Sequence, residues 1–175
     1  NFELDEKHLK LKNPMEQFVD SYRRFSHHYS NIDPLGLLPK KEFPGVIDFG
    51  LKYDMKTAEQ IESSKLLAGV KSVEELENTL KKIYLGPVGV EFDHIDNAEE
   101  REWLYNHFEE LMSQELTPDQ KINTFELITK SEAIDHFIHK KFQTFKRYSG
   151  EGTETLAVAM NTIFAEAALH GVEEV

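Results

Sequence analysis

Helix-start signals recur along the whole of this chain, and they constrain its fold more than any other feature. A polar N-cap followed three residues later by an acid or amide occurs at Asn13, Ser72, Asn97, Thr117 and Thr129. Helical periodicity adds two helices, over 57–67 and over 154–170. Seven helices are therefore predicted, in a mostly α, irregular multi-helix domain with at most one or two short strands.

The same periodicity predicts which helix faces point inward. The first helix has an apolar face of Met15, Phe18, Val19, Tyr22 and Phe25. In the helix after Asn97 the predicted inward stripe is Trp103, Leu104, His107, Phe108, Leu111 and Met112. In the last helix it is Leu156, Met160, Ile163, Phe164 and Ala167. Residues 87–92, between two of these helices, form the one good strand candidate, and Asp-Pro-Leu-Gly at 33–36 predicts a turn.

Composition excludes several classes of function. The 175 residues contain no cysteine, which rules out disulfides, Cys-ligated zinc and thiol catalysis. A net charge of −12 makes nucleic acid an improbable main partner, and no apolar run approaches the ~20 residues needed to cross a bilayer. The charge is uneven: residues 91–135 carry −10 and 151–175 carry −5, around a +4 cluster at 136–150. That basic cluster is interpreted either as a solvated helix end or as an anion or docking site.

Polar residues at the ends of the predicted elements are the candidates for chemistry. His94, among three carboxylates after the strand candidate, suits a general acid or base, or equally a hydrogen bond at the helix entry. His27, next to His28, suits either a helix end or a polar cluster that feeds a neighbouring site. Glu151, flanked by glycines and close to Arg147, suits presentation at a cleft.

Several standard motifs are missing. His136 and His139, one turn from Glu132, could bind a metal only with ligands from a second helix, and nothing in the sequence marks one. The chain has no dinucleotide-binding or Walker-type glycine loop, no nucleophile elbow and no Gly-Asp dipeptide. From these residues alone the chain is a soluble helical domain of unspecified role.

Four segments in order resemble one enzyme family. Residues 22–27 and 33–36 are similar to a Tyr-Arg-x-Arg-Gly-His segment followed by Asp-Pro-Leu-Gly, and 84–95 to Tyr-x-Gly-x-x-Gly-x-Glu-Tyr-Met-His-Ile. Residues 116–118 match Leu-Thr-Pro, and 139–152 resemble His-x-Lys-Phe followed by Lys-Arg-Phe-Ser-Leu-Glu-Gly. This order is that of the N-terminal region of the thiamine-diphosphate-dependent, decarboxylating component of the 2-oxoglutarate dehydrogenase complex. The chain departs from the family pattern at Phe25, Ser26, Asp93 and Gly150, where the family has Arg, Gly, Met and Leu.

The resemblance implies a function for a longer subunit. That subunit would decarboxylate 2-oxoglutarate on thiamine diphosphate and magnesium in the tricarboxylic acid cycle and transfer succinyl to a lipoyl carrier. It would be a homodimer that works with dihydrolipoyl succinyltransferase and dihydrolipoyl dehydrogenase, in the bacterial cytoplasm or the mitochondrial matrix. Residues 1–150 would form a helical N-terminal domain, and 151–175 the first helix leading into the thiamine-diphosphate domain.

For the chain itself the resemblance implies a supporting role. The family's cofactor motifs lie downstream of the fourth segment, so no cofactor binding, metal or turnover is expected from these 175 residues. The candidates for proximity to the active centre are His94, Arg147, Glu151 and His27. Two alternatives stay open: the paralogous 2-oxoadipate dehydrogenase, and a free-standing acidic helical interaction module.

Overall fold

The computed structural model describes residues 13–39, 41–53, 61–144, 146, 148 and 150–174. These residues form six α-helices: α1 Pro14–Phe25, α2 Lys65–Ala68, α3 Val73–Tyr84, α4 Ala98–Ser113, α5 Pro118–Lys141 and α6 Thr155–Leu169. Short 3₁₀ turns cover Ser26–His28 and Val46–Phe49, and no strand is present in the part of the chain that the structure describes. The prediction of a mostly α, irregular fold is confirmed.

The chain divides into two compact units, Asn1–Gln114 and Glu115–Val175. The first contains α1 to α4 and the second contains α5 and α6. Of the predicted helix over 57–67, residues 57–60 lie outside the described residues and 61–64 are irregular, so the prediction is wrong there and only α2, which begins at Lys65, is helical.

Local capping chemistry starts most helices where the sequence predicts. The Asn13 side chain accepts a hydrogen bond from the Glu16 N–H at 3.0 Å at the start of α1. Thr117 and Gln120 cap each other reciprocally at the start of α5, with distances of 2.8 and 3.2 Å. Each such cap contributes about 1 kcal/mol by satisfying amides that have no partner inside the helix.

The hydrophobic core of the first unit lies between α1 and α3. The face predicted for α1 is buried, except that Phe25 is only half-buried, and α3 packs its own apolar face against it. The buried apolar side chains of the two helices are Met15, Phe18, Val19 and Tyr22 on α1 and Val73, Leu76, Leu80, Ile83 and Tyr84 on α3. Each large apolar side chain removed from water here stabilises the fold by about 1.5–3 kcal/mol.

The strand prediction for 87–92 is wrong. This stretch belongs to an irregular segment, residues 85–97, that joins α3 to α4 and is called here the connecting segment. Val90 and Phe92 alternate as a strand would and pack against the core, and the Phe92 ring lies 5.1 Å from that of Tyr105. The alternation therefore shows only that one side of the connecting segment is buried. No neighbouring strand among the described residues pairs with this segment.

The predicted helix start at Thr129 is also wrong, because α5 runs unbroken through it. The Thr129 hydroxyl donates to the Phe125 carbonyl oxygen one turn earlier, at 2.8 Å. A threonine can bond backward in this way inside a helix as readily as it can cap a new one. No proline or glycine lies between Pro118 and Lys141 to interrupt the helix.

The inward stripes predicted for the later helices are only partly correct. On α4, Phe108 and Met112 pack against the core, but Trp103 is 61% exposed and the buried residues are Tyr105 and Glu109. The buried face of α4 is therefore rotated about the helix axis relative to the predicted stripe, because Glu109 is buried in an ion pair with Arg23. On α6 the predicted stripe is not buried, and no described residue of α5 or α6 is buried within the second unit.

Candidate functional site

The first two segments that carry the family resemblance meet in the first unit. The end of α1 and its 3₁₀ turn lie against the connecting segment. The Asn31 N–H donates to the Gly86 carbonyl at 2.9 Å, and the Ser30 hydroxyl lies 2.9 Å from the Tyr84 carbonyl that it can bond. Two motifs joined by bonds that span about 54 residues of sequence thus form one surface.

Gly89 permits this close approach. A Cβ atom at Gly89 would lie 3.3 Å from the Ser30 Oγ and 3.6 Å from the Cα and Cβ of His27. The first distance is shorter than an ordinary van der Waals contact, so only a residue without a side chain fits without a shift. Two residues further on, the Glu91 Oε2 lies 3.9 Å from the His27 Nε2. The glycine therefore allows the connecting segment to pack closely against His27 and Ser30.

A second pair of charges joins the same two segments. The Arg24 Nε donates to the Asp93 Oδ2 at 2.7 Å, and the guanidinium lies 5.5 Å from the centre of the Phe25 ring. The Tyr105 hydroxyl lies 3.1 Å from the Asp93 Oδ1 and 3.0 Å from the Arg23 carbonyl oxygen, so it can donate to either. Phe25 and Asp93 are two of the departures from the family pattern, and both contact Arg24.

A buried polar cluster lies beneath this surface. The Glu109 carboxylate is fully buried on α4 and accepts a hydrogen bond from the Arg23 Nε at 2.8 Å. It also accepts from the Tyr84 hydroxyl at 2.7 Å and from the Ser64 hydroxyl at 2.5 Å. The Arg23 Nη2 donates to the Ser63 carbonyl at 3.1 Å. One carboxylate thus holds together α1, α3, α4 and the start of α2.

Burial and neighbouring charges shift the pKa values of three groups in and beside this cluster. Burial by itself lowers the pKa of Arg23, but the hydrogen bond and charge of Glu109 outweigh it and leave that pKa above its ordinary value. Burial, reinforced by the negative charge of Glu109, raises the pKa of the Tyr84 hydroxyl well above its ordinary value. Burial and then the charge of Asp93 raise the pKa of Tyr105 in the same way. Both phenols stay protonated at neutral pH and act as hydrogen-bond donors.

The four predicted site residues fall in different places. His27 is largely buried at the end of α1, its ring centre is 3.9 Å from that of His28, and its Nδ1 has no hydrogen-bond partner among the described residues. His94 is exposed in a turn directly after Asp93. These two belong to the first unit, whereas Glu151 is exposed in a turn of the second unit. Arg147 lies outside the described residues.

The loop that carries Glu151 is tied to α5. The Gly150 N–H donates to the Asp135 Oδ2 at 3.0 Å, and the Thr153 N–H donates to the Gly150 carbonyl at 2.8 Å. Gly152 has a φ of 82°, a backbone conformation that favours glycine. The side chain of Glu151 is therefore presented on a tight turn just before α6.

Two hollows open on the first unit. One, of about 630 Å³, lies beside the buried cluster, and Arg23, Arg101, Asp93 and Tyr105 are among the residues that line it. The other, of about 550 Å³, runs from His27 to Lys41. Within the described ranges no group of three His, Cys, Asp or Glu side chains is placed to hold a metal ion. His136 and His139 are exposed on α5, and we assign no cofactor ligand to the described residues.

Sequence reasoning missed the Arg23–Glu109 pair. The usable signal was an acid on an otherwise apolar helix face, since Tyr105, Phe108, Glu109 and Met112 have helical spacing. A buried acid needs a cation nearby, and Arg23 lies on the core side of its own helix.

Comparison with known proteins identifies relatives of this chain. No protein-family model matches the chain. It is 34% identical over 167 residues to the "Probable 2-oxoadipate dehydrogenase complex component E1 homolog" of Dictyostelium discoideum, over 94% of this chain and 18% of the relative. This chain is homologous to one stretch of the 2-oxoacid dehydrogenase E1 components.

Further relatives carry both names. The "2-oxoglutarate dehydrogenase E1 component" of Rickettsia prowazekii is 32% identical over 174 residues, covering 91% of this chain and 17% of the relative. The "2-oxoadipate dehydrogenase complex component E1" of Danio rerio is 29% identical over 173 residues, covering 95% of this chain and 18% of the relative. The chain therefore spans less than a fifth of the length of these E1 components. Among the described residues, none of the helices has the length and apolar character needed to cross a membrane.

Proposed function

We propose that the chain is the N-terminal helical part of a longer E1 subunit that decarboxylates 2-oxoglutarate and transfers the succinyl group to a lipoyl carrier. The observation that carries this proposal is the alignment of more than nine tenths of the chain with E1 components named for 2-oxoglutarate or 2-oxoadipate. The contact between the first two family-matched segments supports it, because the resemblance then describes one surface and not scattered residues.

In this proposal the cofactor is bound outside the chain. Thiamine diphosphate, held through magnesium, supplies the carbanion chemistry of such enzymes. We assign to these helices the support of the first cofactor domain, with 151–175 as the first helix of that domain. The subunit acts as a homodimer beside dihydrolipoyl succinyltransferase and dihydrolipoyl dehydrogenase, in the bacterial cytoplasm or the mitochondrial matrix.

Release of carbon dioxide tests the proposed reaction. The longer subunit, supplied with thiamine diphosphate and Mg²⁺, is given 2-oxoglutarate and, separately, 2-oxoadipate. Each acid is labelled in the carboxylate next to its keto group, which is the one that decarboxylation releases. We expect labelled carbon dioxide from 2-oxoglutarate, and none from the 175-residue chain under the same conditions. Release from neither acid by the longer subunit would refute the proposed activity.

The second candidate is 2-oxoadipate dehydrogenase. It is favoured by the identity of 34% to E1 homologues that are named for the 2-oxoadipate complex. The two candidates are separated by the ratio of kcat/KM for the two acids. A ratio that favours 2-oxoadipate by about tenfold, a difference of ~1.4 kcal/mol in transition-state binding, would replace 2-oxoglutarate as the assigned substrate.

The four candidate side chains are tested in the longer subunit. Under the proposal, His94→Ala, Glu151→Ala and Arg147→Ala each lower kcat/KM about tenfold or more, because a group that aids proton transfer or charge stabilisation contributes at least that much. We expect a weaker effect from His27→Ala. His136→Ala is the matched control, since His136 is an exposed imidazole of α5 outside the candidate set. If a variant has the same kcat and KM as the unaltered subunit, the substituted residue is not part of the site.

A further inference from the structure

The loop of residues 32–38 exposes an unusual amount of apolar surface. Its four large apolar side chains are between 61% and 79% exposed: Ile32, Leu35, Leu37 and Leu38. Four such side chains lie within seven residues, and a local concentration of exposed apolar side chains marks an interaction site more often than a scattered exposed leucine does.

The loop is held in one shape. The Asp33 carboxylate accepts hydrogen bonds from the Leu38 N–H at 2.7 Å and from the Leu35 N–H at 3.2 Å. The Gly36 N–H donates to the Asp33 carbonyl at 3.2 Å, and Gly36 has a φ of 65°. The Leu38 N–H in particular lowers the pKa of Asp33, so the carboxylate stays ionised at neutral pH. A loop already ordered loses little conformational entropy when a partner covers it.

A hollow beside the loop supplies polar side chains that a docked partner can bind. Ile32 and Leu38 line the hollow of about 550 Å³, and His27, His28 and Lys41 line it as well. Asp33 also lines it, but its carboxylate already accepts the Leu35 and Leu38 N–H groups. The Nδ1 of His27 is buried without a hydrogen-bond partner among the described residues. A buried polar atom of this kind calls for a partner, and the ammonium of Lys41 favours one with negative charge.

We propose that this loop and the adjoining hollow, called here the loop–hollow surface, dock another segment of the same longer subunit. The docked segment is apolar where it covers Leu35 and Leu37 and places a carboxylate in the hollow near Lys41. The inference rests on the proposal that the chain is part of a longer subunit, and it adds an internal docking site to that proposal.

The size of the surface favours a segment of the same subunit over a second copy. Four exposed side chains fall short of the roughly 800 Å² per partner that a stable separate interface buries. A covalently linked segment binds through a smaller contact, because the linkage gives it a high effective concentration. The aligned relatives are more than five times as long as the stretch they share with this chain, since that stretch makes up only 16–18% of each.

Hydrogen–deuterium exchange tests the docking directly. We expect the amides of 32–38 to exchange about tenfold more slowly in the longer subunit than in the 175-residue chain, since burial under a docked segment adds to the free energy of opening. Leu35→Asp should remove that protection in the longer subunit, and Lys41→Glu should reduce it. Ile47→Asp is the matched control, because Ile47 is 76% exposed on the same unit but outside the loop.

Three outcomes would overturn the proposal. Equal exchange in the two proteins would mean that nothing covers the loop. Protection that rises with protein concentration would assign the surface to a second copy, and protection that appears only on adding the succinyltransferase would assign it to that partner. Exchange does not depend on turnover, so an inactive subunit with a protected loop would refute the proposed activity and leave the docking site standing.

Discussion

The buried carboxylate of Glu109 gives the sharpest prediction about stability. Glu109→Ala removes the acceptor for three donors and leaves the Arg23 guanidinium, 5% exposed, without its counter-charge. Hydrogen bonds to a charged group contribute ~1.5–3 kcal/mol each, but groups that share one acceptor are not additive. Breaking a buried ion pair by removing one partner costs about 3–5 kcal/mol, and we expect that loss in the free energy of unfolding.

Urea denaturation of the 175-residue chain measures this loss. Helical circular dichroism reports the whole fold, and the fluorescence of Trp103, the one tryptophan of the chain, reports α4 itself. Glu110→Ala is the matched control, because Glu110 is the next residue and is exposed, so its loss should change the stability by no more than about 0.5 kcal/mol.

Two further variants separate charge from packing. Glu109→Gln keeps the shape but turns an amide NH₂ toward donors, and we expect a loss of roughly 2–3 kcal/mol. Replacing both members of the pair, in Arg23→Met with Glu109→Leu, should restore much of the stability, since no uncompensated charge stays buried. If Glu109→Ala were as stable as Glu110→Ala, the cluster would not hold the unit together and the reasoning would be refuted.

Three other predictions concern the surface above that cluster. Gly89→Ala should destabilise the chain by about 1 kcal/mol in urea denaturation, because the new Cβ crowds the end of α1. Gly45→Ala is the control and should change the stability little, since a Cβ there meets nothing closer than 3.9 Å. Equal effects of the two substitutions would contradict the close approach at Gly89. Tyr105→Phe should cost about 1 kcal/mol through one lost hydrogen bond, and a loss near zero would mean that its hydroxyl contributes nothing. The pKa of Asp33 lies below its unfolded value, so the loop is stabilised above pH ~4 and loses that stabilisation as the pH falls through the lowered pKa. The protection factor of the Leu38 amide, the factor by which it exchanges more slowly than in an unfolded chain at the same pH, should fall there, and a constant protection factor would contradict the assignment.

Most of the fold follows from local chemistry. The helix starts at Asn13, Ser72, Asn97 and Thr117 were predictable because a cap involves only residues within one turn. The failure at Thr129 has the same origin, since a threonine offers the chain two local hydrogen bonds and the continuing helix decides between them.

The site depended on contacts that are distant in sequence. The Arg24–Asp93 pair spans 69 residues and the Arg23–Glu109 pair spans 86, so neither could be read from spacing. The rotated face of α4 follows from the second pair, because a helix that buries an ion pair turns its acid inward and leaves Trp103 outside. The strand prediction failed because alternation shows which side is buried and not whether a neighbouring strand exists to pair with it.

The central proposal is that these helices support an active centre whose cofactor is bound elsewhere in the longer subunit. Calorimetric titration of thiamine diphosphate with Mg²⁺ into the 175-residue chain and into the longer subunit tests it most directly. We predict saturable binding by the longer subunit and no binding heat from the chain. Micromolar binding to the 175-residue chain, or none to the longer subunit, would contradict the account.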